Sequence, residues 1–221
     1  LYNMCDGNAV FPINITKGNF NGVCKSDCKL EFLYAPSQCN CTNKGTYLSF
    51  SYDLYKNAPV KFNQIYYNVT EVRIYSPSLH KFDGSLCSGE LVILHIGSGG
   101  ENLAICVPII KDDGEYSPIN KIVDLASVSV QNQDDSATLN TDFNLNELVP
   151  SVQHLYYRAI TPFDCDTAFD ICVFGNKISY IPIYTDQLRL LESISKSIFS
   201  FKTMSEPIDP KSSNIVVMSC K

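Results

Sequence analysis

The chain has no tryptophan, three methionines and three histidines in 221 residues, and the shortages narrow what it can do. His80, His95 and His154 are the whole imidazole supply; the count alone leaves a Ser-His-Asp or Cys-His device open, but His95, at the end of an apolar strand, reads as a structural histidine. No GxSxG nucleophile elbow appears. Basic residues are also scarce: 17 Lys and Arg stand against 23 Asp and Glu, for a net charge of −6. They are scattered, so there is no basic stripe for nucleic acid, and the same deficit argues against anionic lipid or glycan surfaces. No apolar run approaches the roughly 20 residues of a membrane-crossing helix. Repeats and low-complexity linkers are missing too. "GSGG" at 97–100 lacks the Lys-Ser/Thr of a phosphate loop and reads as a hairpin turn.

What the chain has in excess is cysteine. Ten occur, at Cys5, Cys24, Cys28, Cys39, Cys41, Cys87, Cys106, Cys165, Cys172 and Cys220, a number that points to an oxidising compartment. Three N-glycosylation sequons agree: "NIT" at Asn14, "NCT" at Asn40 and "NVT" at Asn68. "CKSDC" at 24–28 and "CNC" at 39–41 have cysteine spacings that invite zinc, but thiolates must stay reduced to bind it. The expectation is disulfides, with Cys24, Cys28, Cys39 and Cys41 pairing among themselves or with nearby loops. The opening "LYNMCDGN" has neither a charged n-region nor an apolar h-region. It reads as a mature secreted or cell-surface chain whose signal peptide has been removed.

Texture changes near residue 46. Residues 1–45, rich in Cys, Asn, Gly and Lys, read as disulfide-stapled loops. Residues 46–221 carry alternating and β-branched runs: "TYLSFSY", "VKFNQIYYNV", "EVRIYS", "ELVILHI", "LAICVPII", "DICVFG" and "KISYIPI". "ELVILHI" and "LAICVPII" are almost continuously apolar, as strands buried on both faces are. "TDQLRLLESISKSIFSF" predicts a helix with Thr185 or Asp186 as N-cap and Leu188, Leu191, Ile194 and Ile198 along one stripe. One further turn of helix fits in "NTDFNLNELVP" before Pro150. The expected fold is mainly β (α+β): one domain over 1–221, with a large, central, mostly antiparallel twisted sheet and a few short helices.

The stretch "EVRIYSPSLHKFDGSLCSGELVILH" at 71–95 resembles the core of the α-type carbonic anhydrases. There a Q-F-H-F-H strand is followed by S-E-H and, twelve residues past that serine, by E-L-H-L-V-H. Further stretches are similar in the same order. "FPINI" resembles S-P-I-N-I, "YLSFSYD" the L-x-x-x-Y-D strand, and "ENLAICVPI" the G-x-L-A-V segment. "LVPSVQHLYYRAITPFDC" resembles the run that ends in T-T-P-P-C, and "DICVFGNKISYIPIYTDQLRLLESI" the C-terminal strand and helix.

The resemblance implies the family's fold and locates its zinc site. The three zinc-histidine positions fall on Arg73, Tyr75 and Val92. Arginine is a permanent cation, valine has no donor atom, and one tyrosine cannot hold zinc tightly. The carboxylate that holds the zinc-bound water through a threonine becomes Leu79, with Thr161 in the threonine's place. Glu90 matches the acid that orients the third ligand and is expected to pair with Arg73 or accept backbone hydrogen bonds. His80 and His95 match structural histidines. A hairpin of roughly twenty residues is missing before Arg73, and Tyr66 and Tyr67 fall near the family's proton-shuttle position. The expectation is therefore no zinc, no catalysis, and a secreted module that assembles with itself or binds protein partners. A glycan-binding adhesin is the alternative, followed by a hydratase or esterase with a relocated site.

The resemblance also implies a disulfide. Secreted members of the family join a cysteine seven residues before the S-P-I-N-I proline to one just after T-T-P-P, which here are Cys5 and Cys165. Closing a loop of about 160 residues contributes up to roughly 5 kcal/mol in the chain-entropy model. Non-reducing peptide mapping should recover Cys5 linked to Cys165; Cys5 linked elsewhere refutes the pairing.

Overall fold

The two most apolar runs become neighbouring strands at the middle of a sheet, because a strand that is apolar on both faces is stable only where both are covered. A computed structural model describes residues 11–16, 22–23, 28–175, 179–195 and 216–220. Its strands are β1 (Asn14–Ile15), β2 (Gly22–Val23), β3 (Leu30–Phe32), β4 (Ser37–Asn43), β5 (Leu48–Ser51), β6 (Val60–Phe62) and β7 (Ile65–Tyr75). Then come β8 (Lys81–Phe82), β9 (Ser85–Leu86), β10 (Gly89–Gly97), β11 (Asn102–Lys111) and helix α1 (Pro118–Ser129). β12 (Ser136–Phe143), a 3-10 turn at Leu145–Glu147, β13 (His154–Thr161), β14 (Asp164–Phe174), β15 (Ile181–Ile183), α2 (Thr185–Ile194) and β16 (Met218–Cys220) complete the order.

Thirteen strands form one twisted mixed sheet along the path β12-β4-β5-β7-β10-β11-β14-β13-β16-β2, with β3, β6 and β15 joined at its flanks. Pairing is antiparallel except for β11 with β14, β11 with β15, and β16 with β2. The turns between strands follow their sequence signals. Asp83 and Gly84, both at positive φ, reverse the chain between β8 and β9. The "GSGG" turn joins β10 to β11, with the Gly97 amide donating to the Glu101 carbonyl at 2.7 Å.

The period-2 alternation of strands splits the core in two. On β10, Leu91 and Ile93 enter one cluster while Val92 and Leu94 enter the other. The larger cluster lies between the sheet and both helices, taking Ile119, Ile122, Val123 and Ala126 from α1 and Leu191 and Ile194 from α2. Each of the larger side chains, Ile, Val or Leu, contributes roughly 1.5–3 kcal/mol when fully buried. The smaller cluster holds Phe11, Ile13, Ile15 and Phe82, so the N-terminal segment and the β8 hairpin cover the opposite face. Arg73, Tyr75 and Val92 belong to that second face.

Three local expectations need correction. The helix at α1 was not anticipated, although Ser117 before Pro118 at the first helical turn and apolar residues at 119, 122, 123 and 126 are its signature. Within residues 1–45, the second half is strand rather than loop. β4 buries Ser37, Cys39, Cys41 and Asn43 on one side and pairs with β5 and β12. Cys39 and Cys41 are consequently free thiols in the large core. Residues i and i+2 of one strand face the same packed interior, and among the described residues neither is bridged to another cysteine. Cys28 and Cys165 are disulfide-bonded, while Cys5, Cys24 and Ile198 lie outside the described residues. Helix α2 spans Thr185–Ile194, and its N-cap is Tyr184 rather than Thr185 or Asp186.

One buried side chain ties the layers together. Asn43, with no exposure, donates through Nδ2 to the Val130 carbonyl at the end of α1 and to the Ile194 carbonyl at the end of α2, both at 2.9 Å. Its Oδ1 accepts from the Gly45 amide at 2.7 Å. Helix C-terminal carbonyls lack partners within their own helix, so Asn43 supplies them from β4. Asn43→Ala should lower the unfolding free energy by about 2–4 kcal/mol, since unsatisfied buried groups cost 1–3 kcal/mol each. Asn43→Asp, which removes the donor and keeps the shape, should cost about as much. Urea unfolding checks both, and a loss below about 1 kcal/mol contradicts the tie.

Candidate functional site

β10 enters the second face at Gly89 and Glu90. Gly89 is needed for close approach, since a Cβ there would meet the Tyr75 carbonyl oxygen at 2.6 Å. Glu90 has no exposure, and a buried carboxylate must find donors or lose its charge. Its Oε2 accepts from the Leu79 and His80 amides at 2.8 and 2.9 Å. Its Oε1 lies 2.5 Å from His80 Nδ1, and the Cys106 thiol is a further hydrogen-bond partner. His80 Nε2 reaches the Tyr157 hydroxyl at 2.7 Å. Burial first, and the Glu90 charge second, push the Cys106 thiol well up; burial does the same to the Tyr157 phenol. Sequence reasoning offered Glu90 either Arg73 or backbone amides; the structure gives it the amides, together with His80 and Cys106.

Arg73 is paired elsewhere. Its Nε and Nη2 donate to Glu71 Oε2 at 2.9 and 2.6 Å, and Nη1 donates to the Tyr75 hydroxyl at 3.3 Å. Ser49 Oγ steadies the other Glu71 oxygen at 2.6 Å. The guanidinium is flanked by two rings, 4.8 Å from the centroid of Tyr47 and 5.0 Å from that of Phe163. Phe11 packs edge-on against Phe163 at 4.9 Å and against His80 at 5.0 Å. Burial works against the Arg73 charge, but Tyr75 and Glu71 outweigh it and the pKa rises. Burial also raises the Tyr75 phenol, with Arg73 opposing. Glu71, Tyr47 and Phe163 were missed from sequence. Glu71 was findable, because residues i and i+2 of a strand share a face.

The three aligned positions are together: Val92 on β10 sits opposite Arg73 on β7, and Tyr75 follows two residues along. As a donor set they do not fit a tetrahedral zinc ion, which takes neutral imidazoles, thiolates or carboxylates. Leu79 is buried and offers Glu90 only its amide; Thr161 is buried, its Oγ1 accepting from the Phe163 amide at 3.3 Å. Tyr66 is exposed, with Lys61 5.5 Å over its ring, and stands most of the length of β7 away from Arg73. Tyr67 is buried in the large core, on the other side of the sheet, so it cannot serve a site on this face. Asn14, Asn40 and Asn68 are half-buried strand residues. Among the described residues one other group is spaced for a metal: ligand atoms of His80, Glu90 and Cys106 lie within 4.8 Å of one another. Each already has a hydrogen-bond partner there.

No family model and no curated protein sequence matches this chain. Solved structures do. An α-carbonic anhydrase from Thermovibrio ammonificans, in complex with the inhibitor sulfanilamide, has a TM-score of 0.75 at 14% identity, over 98% of this chain and 88% of that one. Dioscorin complexed with ascorbate gives 0.77 at 16%, over 97% and 86%. Carbonic anhydrase Cah3 from Chlamydomonas reinhardtii, in complex with acetazolamide, gives 0.76 at 17%, over 97% and 91%. At such identities the likeness is one of fold: the chain has the α-carbonic anhydrase fold.

The remaining histidines serve the structure away from this face. His95 Nε2 lies 3.1 Å from the Tyr34 hydroxyl, and burial lowers its pKa to about 4. Burial lowers His154 to about 4 as well. Both pKa values lie below the unfolded value of about 6.5. The unfolded chain therefore binds protons that the native state refuses, and their stabilisation is full above about pH 6.5 and falls as pH drops toward 4. Between pH 7 and pH 5 the unfolding free energy should fall by about 1.5–2 kcal/mol per histidine. His154→Gln should halve the slope. A flat urea-unfolding profile across this range contradicts the assignment.

Proposed function

We propose that the protein is a secreted, non-catalytic protein built on the carbonic anhydrase fold, acting as a self-assembling or protein-binding module of an extracellular or surface assembly. The observation that carries this reading is Arg73, a fixed cation clamped by Glu71 and Tyr75 and stacked between Tyr47 and Phe163 at an aligned zinc-ligand position. A permanent positive charge there repels a divalent cation, and Val92 beside it contributes only packing. The disulfides at Cys28 and Cys165 and the three sequons support an extracellular setting. No helix among the described residues is long and apolar enough to cross a membrane. A glycan-binding adhesin remains the alternative within this reading.

One observation favours a second reading, a hydratase with a relocated metal: the clustering of His80, Glu90 and Cys106. Against it, all three are fully buried and saturated by hydrogen bonds. Metal would also have to remove the proton of a thiol that burial makes a poor acid.

Metal analysis and carbon dioxide hydration kinetics separate the two. The purified protein should carry no stoichiometric zinc and give no rate above buffer. The triple variant Arg73→His, Tyr75→His, Val92→His should gain zinc binding, because the three positions are adjacent on β7 and β10. Its hydration rate should stay at least about 10²-fold below an active enzyme, since Leu79 cannot anchor the threonine. Zinc and turnover in the native protein, both lost on chelation, defeat the non-catalytic reading. A folded triple variant that binds no zinc defeats the residue assignment.

A further inference from the structure

On the helix side of the sheet, away from the Arg73 cluster, the N-terminus of α1, the turn around Glu147 and β15 enclose a groove of about 380 Å³. That lies within the ~300–1,000 Å³ of ligand-binding clefts. Its walls are stiff and partly aromatic. Pro118, Pro150 and Pro182 fix the backbone on three sides, while Tyr116 and Tyr180 supply ring surface. Tyr116 is 58% exposed, so its ring is open to a ligand, and it leans edge-on against Tyr184 at 6.2 Å. The Tyr180 hydroxyl donates to Asp112 Oδ2 at 3.1 Å, which fixes its ring at the margin.

Among the described residues the charge lining the groove has one sign. Glu115 and Glu147 line it, Asp112 stands behind Tyr180, and no described lining residue is a lysine or arginine. The phenol of Tyr180 is shifted upward by its hydrogen bond to Asp112 and by the negative charge of Asp112 and Glu115. The α1 N-terminus opposes this field with about half a positive charge. Two lining carboxylates outweigh it. Pro118 offers no amide donor, and the Ser117 hydroxyl is spent on the Pro182 carbonyl at 2.6 Å.

We propose that this groove binds an extended, proline-containing segment of a partner protein through a lysine or arginine side chain. Aromatic-lined grooves accept polyproline II segments because such a segment is pre-extended and loses little entropy on docking. The glutamates then select a cation over a neutral or acidic side chain, and exposed tyrosine rings add cation–π attraction. The proposal stands whether or not the Arg73 face is catalytic, because the two lie on opposite sides of the sheet.

The test is fluorescence anisotropy with a labelled peptide of alternating arginine and proline, read against the same peptide with aspartate for arginine. The arginine peptide should bind below about 1 mM and weaken at least fivefold between low and high salt, as screening requires. Glu115→Gln with Glu147→Gln should weaken it at least fivefold, and so should Tyr116→Ala. All three are exposed side chains, and circular dichroism confirms that each variant folds. Asp134→Asn with Glu192→Gln removes the same charge elsewhere and should leave binding unchanged. Absence of binding, equal binding of the aspartate peptide, or equal loss in the charge-matched control overturns the proposal.

Discussion

A carboxylate with no access to water sits beside the middle of the sheet, and half of the fold is arranged to keep it satisfied. Glu90 draws in the backbone at Leu79 and His80, the His80 ring and the Cys106 thiol; through His80 it reaches Tyr157. Those partners come from the segment between β7 and β8 and from β11 and β13, so one side chain ties three parts of the chain to β10. Removing a partner from a buried charge costs about 3–5 kcal/mol, which makes the group costly to alter piecemeal. The scaffold is therefore held by a hydrogen-bonded network adjacent to Arg73, Tyr75 and Val92 and independent of their side chains.

That separation explains how the second face is filled. Arg73 needs an acid within reach of a strand side chain, and Glu71 provides one on the same face two residues earlier. Its planar head then needs flat neighbours, which Tyr47 and Phe163 supply from the approach to β5 and the turn between β13 and β14. The result is a cation, an acid and several rings packed against the smaller core.

The large features of the fold were legible because they rest on local pattern. The unbroken apolar runs of β10 and β11, the Asp-Gly turn and the leucine stripe of α2 all declare themselves within a short window. β4 did not, because "SQCNCTN" alternates with cysteine as the buried residue and looks like a stapled loop in a cysteine-rich tract. One of its two partners, β5, follows it closely, but the other, β12, is about a hundred residues away in the chain. α1 was missed despite a proper start signal. At the site, Arg73, Tyr75 and Val92 were placed by resemblance to a family rather than by pattern. The stacking partners Tyr47 and Phe163 were invisible, since contacts across that much chain leave no local trace. The partner of Glu90 was half legible: backbone amides were foreseen, Cys106 was not.

The buried thiols of β4 set a timing problem for biosynthesis. In the native protein burial pushes Cys39 and Cys41 up to about 12. Only thiolates attack disulfides, so near neutral pH each is about a thousandfold less reactive than an ordinary cysteine of pKa ~8.5. Before β4 docks between β5 and β12, nothing gives them that protection, and in an oxidising lumen, the setting proposed above, partners would be on offer continuously. Correct cross-linking at Cys28 and Cys165 is then a race, in which sheet closure must outrun oxidation of the wrong sulfurs. A chain of this kind should depend on disulfide isomerases during maturation and hardly at all afterwards.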